Sequence, residues 1–201
     1  MKNLSLFLAM AFLVALALPA NAQKMKLTKG KLTALKGEKM LNTEFTYENM
    51  AVGKFKKEKE YVDKKVKEYN EKEKGRGDRW AKAWVDDREN RFEPQFNELL
   101  SKHGEMDAGD HPDAKYTLIF NTSFTEPGFN VGVMRKNAYI DGTATIVETA
   151  NRENVVAVIT VDNSPGRDFG GYDFDTGERI SEAYAKAGKE LGQMIVKANK
   201  K

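Results

Sequence analysis

Between residues 162 and 178 the chain reads DNSPGRDFGGYDFDTGE, and oxygen-bearing side chains crowd into it. Asp168, Asp173, Asp175 and Glu178 are candidate ligands for a hard cation such as calcium, which carboxylate and carbonyl oxygens hold. A calcium loop, however, sets its oxygens at alternate positions around a central glycine and ends on a bidentate glutamate. These four residues lack that spacing. The glycines do not form a phosphate cradle either. Gly166 and Gly170 are separated by three residues, and Gly171-Tyr172-Asp173 stands where Gly-Lys-Ser or Gly-Lys-Thr is required. What remains is a connector whose acids suit the start of the next helix. Phe169, Tyr172 and Phe174 make the same loop a candidate partner contact.

Nucleophilic chemistry finds little support. The chain has no cysteine and two histidines, His103 and His111. His103 falls at a predicted helix end, where an imidazole serves the last carbonyls. His111 precedes Pro112 in a polar stretch with Asp107, Asp110 and Asp113. The two share no His-x-x-x-His spacing for zinc, and no serine stands in a Gly-x-Ser-x-Gly elbow. The 30 aspartates and glutamates leave a converging carboxylate pair for glycoside hydrolysis open. Asp86-Asp87 is the best local pair, although neighbours on a helix point to different faces. No cofactor motif is present. Trp80 and Trp84 are candidates for stacking a sugar or peptide, against the plainer expectation that they seal a helix to a sheet. The segment 54–67, with seven lysines and three acids, either meets anionic envelope polymers or headgroups or is a solvated helix face.

These residues must be positioned by a chain with a clear compartment signature. Met1–Gln23 has one lysine, an apolar run from Leu4 to Leu18, then Pro19 and the triplet Ala20-Asn21-Ala22. That is the pattern of a secretory signal, with cleavage expected after Ala22. The apolar run is short for a bilayer span, so the mature chain is expected to start at Gln23, to lack a transmembrane segment and to be periplasmic or secreted. No cysteine stands at the cleavage point for lipidation. Removal of 22 residues leaves 179, enough for one domain without a disulfide. The formal charge of +3 is small beside 33 basic and 30 acidic residues, so a nucleic-acid partner is not indicated.

Periodicity then orders the elements. Leu41, Thr43, Phe45 and Tyr47 alternate as a strand, and 25–35 is a weaker strand or an extended arm. A helix is predicted over about 57–73, and KGRGD (74–78) breaks it, with Asp78 placed to cap the next. Pro94 should end or kink that second helix, and Gly104 should stop its continuation. Residues 105–114 read as a polar loop. Tyr116, Leu118, Phe120 and Phe124 alternate as a strand, and Pro127-Gly128 marks a corner in an open loop. Residues 138–149 and 154–163 form a hairpin through ANREN. A final helix carries Ile180, Tyr184, Ala187, Leu191, Met194, Ile195 and Ala198 on one stripe, capped by Asp175 or Thr176. Gly188 and Gly192 on it should permit close approach to the sheet. The order is strand, two or three helices, three strands, helix. It predicts an α/β (α+β) domain over 23–201: a single mixed sheet of about four to five strands flanked by helices, its first two strands parallel.

The export signal together with LKGEKMLNTEFTYENMAVG (35–53), YTLIFNTSFTEPGFNVGVMRKNAYIDGTATIVE (116–148) and RISEAYAKAGKELGQMI (179–195) resembles a family of exported envelope proteins of Gram-negative bacteria. More loosely, the order of elements is similar to the α/β domain of the TolB amino-terminal region, the curli-secretion lipoprotein and the lipoprotein activators of penicillin-binding proteins. The resemblance implies a periplasmic or outer-membrane-associated scaffold acting through protein contacts. The chain departs from those relatives in lacking the lipidated cysteine. The leading expectation is a non-enzymatic envelope protein that binds another protein or a polymer. The alternatives are a small-ligand or cation binder using the 162–178 loop and a carboxylate-dependent cell-wall hydrolase.

Overall fold

The computed structural model describes residues 23–131, 133–166 and 175–200. Residues 1–22 and 167–174, where the sequence suggests an export signal and part of the acidic loop, lie outside the described part. The order is β1 (Lys24–Gly30), a 3-10 turn at Leu32–Leu35, β2 (Met40–Thr46), β3 (Ala51–Val52), α1 (Glu58–Lys72) and α2 (Arg76–Asp87). A π turn (Arg88–Phe92), α3 (Glu93–Gly104), β4 (Asp107–Gly109) and β5 (Tyr116–Glu126) follow. Then come β6 (Phe129–Asn130), β7 (Arg135–Lys136), β8 (Ala138–Glu148), β9 (Asn151–Gly166) and α4 (Thr176–Asn199).

The main sheet has seven strands in the order β1-β9-β8-β5-β2-β4, with β3 also on β5. The fold is the expected mixed α/β class with more strands than expected. β2 runs parallel to β5, Phe45 opposite Phe120, as a helical crossover requires. β5, β8, β9 and β1 are antiparallel in succession. Two additions were hard to see. β1 is the segment read as a strand or an arm, and β4 lies inside the stretch read as a polar loop, pairing with β2. Three residues with one apolar side chain, Ala108, carry no period.

One sheet face meets α3 and α4. Phe96 of α3 lies 4.9 Å from the Phe120 ring and 5.3 Å from that of Phe45, and Tyr184 of α4 is 6.0 Å from Phe120. Leu41, Leu118, Ile140, Ile146, Ile159 and Leu191 are fully buried around them. The opposite face carries half-buried Thr143, Thr145, Val158 and Thr160. The close approach expected of Gly188 and Gly192 is made to α3 and not to the sheet. A Cβ on Gly192 would come within 2.6 Å of the Gly104 backbone nitrogen.

One local expectation is corrected, and two are met with a difference of detail. Asp78 does not cap α2. The Gly77 N–H donates instead to Asn70 Oδ1 of the preceding helix (2.7 Å), while Asp78 accepts from the Asn70 amide. Pro94 interrupts the second helix, as expected, with α2 ending at Asp87 and α3 starting at Glu93. It lacks the N–H that would reach the Asn90 carbonyl, and the chain passes it by widening into the π turn at Arg88–Phe92. α3 stops at Gly104, but the left-handed residue is Glu105 at φ 57°. Among the described residues, no helix is long and apolar enough to cross a membrane.

Candidate interaction surface

At one end of the sheet the first residue of β8 pairs with the last of β9, Ala138 opposite Gly166. Just before β8 the chain folds into the two-stranded ribbon β6–β7, with Phe129 opposite Lys136 and Asn130 opposite Arg135. The corner expected at Pro127-Gly128 is present, and Gly128 has the positive φ, 64°, that it needs.

The ribbon's root is built from buried charge. Arg179, in the first turns of α4 and 3% exposed, donates from Nε to the Pro127 carbonyl at 3.2 Å and from a terminal nitrogen to Thr176 Oγ1 at 3.0 Å. Glu126, also buried, accepts from the Gly128 N–H at 3.1 Å and from Lys136 Nζ. A buried charge is tolerated where such partners surround it. The ribbon is thus tied to α4 and to the end of β5 by charge-assisted hydrogen bonds.

Its tip is the reverse. Phe129 is 42% exposed, Val131 58%, Met134 61% and Val133 95%. The remaining exposed large apolar residues of the described part, Leu27, Met40 and Val85, belong to β1, β2 and α2. Residues 126–137 carry these four side chains on a ribbon where the sequence alone suggests a turn or open loop. The available signal was the run GFNVGVM, in which apolar residues recur where a loop would carry polar ones.

The other candidates are placed as follows. Asp175 caps α4, accepting from the Gly177 N–H at 2.8 Å, and pairs with Arg91 at 2.8 Å. Burial alone would raise its carboxyl; Arg91 and the Gly177 and Glu178 N–H groups overcome this and hold it below the usual range. Glu178 is exposed in the first turn. Asp168, Asp173, Phe169, Tyr172 and Phe174 lie outside the described residues. Trp84 belongs to the buried core, lining one small void with Thr125 of β5 and Tyr184 of α4, and Trp80 packs against that core. The two rings stack at 5.6 Å and close the α1–α2 hairpin against Tyr61 and Tyr69, with Trp84 7% exposed and its Nε1 donating to Glu58 at 2.5 Å. Trp84 therefore presents little face to a partner.

The acids whose carboxyls burial raises are each held by a donor. Asp87 has Arg91, Glu93 has the Tyr47 hydroxyl at 3.1 Å, and Asp141 has the Asn163 N–H at 2.7 Å. The other member of the Asp86-Asp87 pair is engaged by Lys82. The void between Tyr47, Trp84, Arg88, Phe92 and Tyr184 measures about 10 Å³, too small for a sugar ring. His111 Nε2 lies 3.2 Å from Asp107, and its backbone N–H donates to Asn42. Among the described residues no group of three or more acids and histidines converges as a metal would need.

No protein-family model and no curated protein matches the chain. Among solved structures it is similar to two PelC dodecamers from Paraburkholderia phytofirmans. A single-substitution variant gives a TM-score of 0.43 at 11% identity, and another PelC crystal form 0.40 at 14%. Each comparison covers 87% of this chain and 97% of the other.

Proposed function

We propose that this chain is an exported, non-enzymatic protein of the bacterial envelope that binds another envelope protein or an envelope polymer, in the periplasm or outside the cell. The β6–β7 ribbon is its contact surface. The observation that carries this reading is the exposure of Phe129, Val131, Val133 and Met134 together on a ribbon whose root is fixed by Arg179 and Glu126. Burying a valine is worth about 1.5–3 kcal/mol, and Val133 forgoes nearly all of it. Several large apolar side chains left in water on one short braced ribbon mark an interaction site.

The reading is tested by placing a photo-crosslinking residue at Val133 and irradiating cells of the producing organism. A discrete adduct with one envelope component is expected, and it should disappear when Phe129→Ser and Met134→Ser are added. A Val133 probe that labels nothing beyond what the same probe captures at Lys67 on α1 would overturn it.

A further inference from the structure

The helices α3 and α4 end side by side, and their last turns border an open groove. Its wider part, about 530 Å³, is lined by Lys102, His103, Lys197 and Lys200 together with Glu105. It shares Glu105, Val196 and Lys200 with a second hollow of about 220 Å³, to which Lys36 and Lys39 contribute from the segment before β2. Five lysines and a histidine therefore border one continuous depression.

These charges are not balanced locally. The two carboxylates in the walls are Glu38 and Glu105, and Glu38 is engaged by Lys115 at 3.2 Å. None of the five groove lysines pairs with a carboxylate among the described residues, whereas lysines elsewhere do, as in Lys59–Asp63 and Lys186–Glu190. Part of the pattern has a helical cause. Lys102 and Lys197 lie in the last turns of α3 and α4, where a cation offsets the helix dipole by about 0.3–1 kcal/mol. That does not account for Lys36 and Lys39, which come from a different segment and add like charge to the same walls. Gathering ammonium groups raises the local potential and favours an anion. In addition, Asn199 Oδ1 is buried and accepts no hydrogen bond from the protein, and Asn199 forms part of the second hollow's wall.

We propose that this groove binds a phosphate-bearing ligand. Phosphate carries more than one negative charge at neutral pH, which suits dispersed ammonium groups acting as point charges. The groove is open to solvent, and its volume of about 530 Å³ leaves room for an oligophosphate, a sugar phosphate or a lipid headgroup. The groove sits at the carboxyl end of α4, whereas the ribbon is tied to its amino end. Twenty-four residues at about 1.5 Å each separate them by about 36 Å. The assignment is therefore independent of the ribbon's role.

The test is calorimetric titration of tripolyphosphate into the purified protein at low ionic strength, with co-sedimentation on phosphatidylglycerol and phosphatidylcholine vesicles as a second arm. Lys102→Gln/Lys197→Gln/Lys200→Gln is expected to weaken binding by about tenfold or more, near 1.4 kcal/mol. Lys24→Gln/Lys26→Gln/Lys29→Gln removes the same charge from β1 and should leave binding unchanged. Both sets are exposed lysines, and unchanged melting temperatures confirm the fold. Tripolyphosphate binding without vesicle pelleting assigns a soluble phosphate; pelleting on the anionic vesicles alone, lost in the groove variant, assigns a headgroup. No binding in either arm, equal loss in both variants, or citrate bound as tightly as tripolyphosphate overturns the proposal.

Discussion

Gly188 of α4 lies so close to Phe96 of α3 that a Cβ on the glycine would stand 2.2 Å from the Phe96 carbonyl oxygen. The obstacle is backbone, which cannot rotate aside as a side chain can. Gly188→Ala therefore has to push apart the two helices that cover the core. Overpacking of this kind costs typically 1–3 kcal/mol. Thermal melting should show Gly188→Ala several degrees below the parent. An unchanged midpoint would mean that the α3–α4 contact is looser than this distance implies.

Arg179 makes a second close dependence, between helix and ribbon. Its guanidinium is buried and supplies the donor that holds the Pro127 carbonyl. In Arg179→Met that carbonyl loses its charged donor and the α4–ribbon link is cut. A hydrogen bond to a charged group is worth about 1.5–3 kcal/mol, and a loss of that size is expected in chemical denaturation. Hydrogen exchange should also quicken at the ribbon amides, among them Val131, whose N–H donates to the Met134 carbonyl at 3.0 Å. Equal protection of the ribbon in both proteins would show that other contacts hold it.

Neither relationship was visible in the sequence, and the reasons differ. The long strands and the last helix could be read because Leu118, Phe120, Ile140, Ile146, Ile159 and the stripe from Ile180 to Ala198 repeat with the period of their own element. The cap could be narrowed to Asp175 or Thr176 because capping is local, and the structure assigns Asp175. Gly188 and Gly192 were recognisable as points of close approach, but which surface they approach depends on the crossing of α3 and α4, and no local pattern encodes that. Arg179 looked like one more polar residue of an amphipathic helix. Its burial follows from the root of a ribbon, at Pro127, 52 residues away in sequence, whose own strands of two residues each are too short to show alternation.

The pH response should separate two carboxylates with opposite shifts. Asp175 is held below its ordinary value of 3.8, so the folded state favours its charged form. Its contribution is complete above the unfolded carboxyl's value and is lost as pH falls through the lower folded one. Asp175→Ala removes a helix cap worth about 1 kcal/mol; the deficit should be full at pH 7 and shrink as the pH falls below 4. Glu93 runs the other way, because burial raises it above 4.5 and its charge opposes folding. Glu93→Gln keeps an acceptor for the Tyr47 hydroxyl and should melt at or above the parent at pH 7, the difference vanishing once the parent's carboxyl is protonated. Parallel melting profiles for the two variants between pH 3 and 7 would contradict this account.

The α1–α2 hairpin should be the first part of the domain to open. None of the 15 residues of α1 is buried, whereas α4 buries half of its length, including Leu191 and Ile195. Local opening free energy follows buried apolar contact. The hairpin rests instead on the Tyr61, Tyr69, Trp80 and Trp84 rings and on Glu58, which accepts from Trp84 and Arg88. Because Trp80 and Trp84 are the chain's two tryptophans and both stand on α2, their emission reports on how this hairpin packs on itself and on the core. In increasing urea the emission should shift before the exchange protection of Leu191 collapses. Trp84→Phe leaves the ring contact but removes the Nε1 donor, which should lower the first midpoint by about 1 kcal/mol and leave the second in place. Coincident transitions, with α1 amides as protected as those around Leu191, would mean that the hairpin is held by the core and not by its own rings.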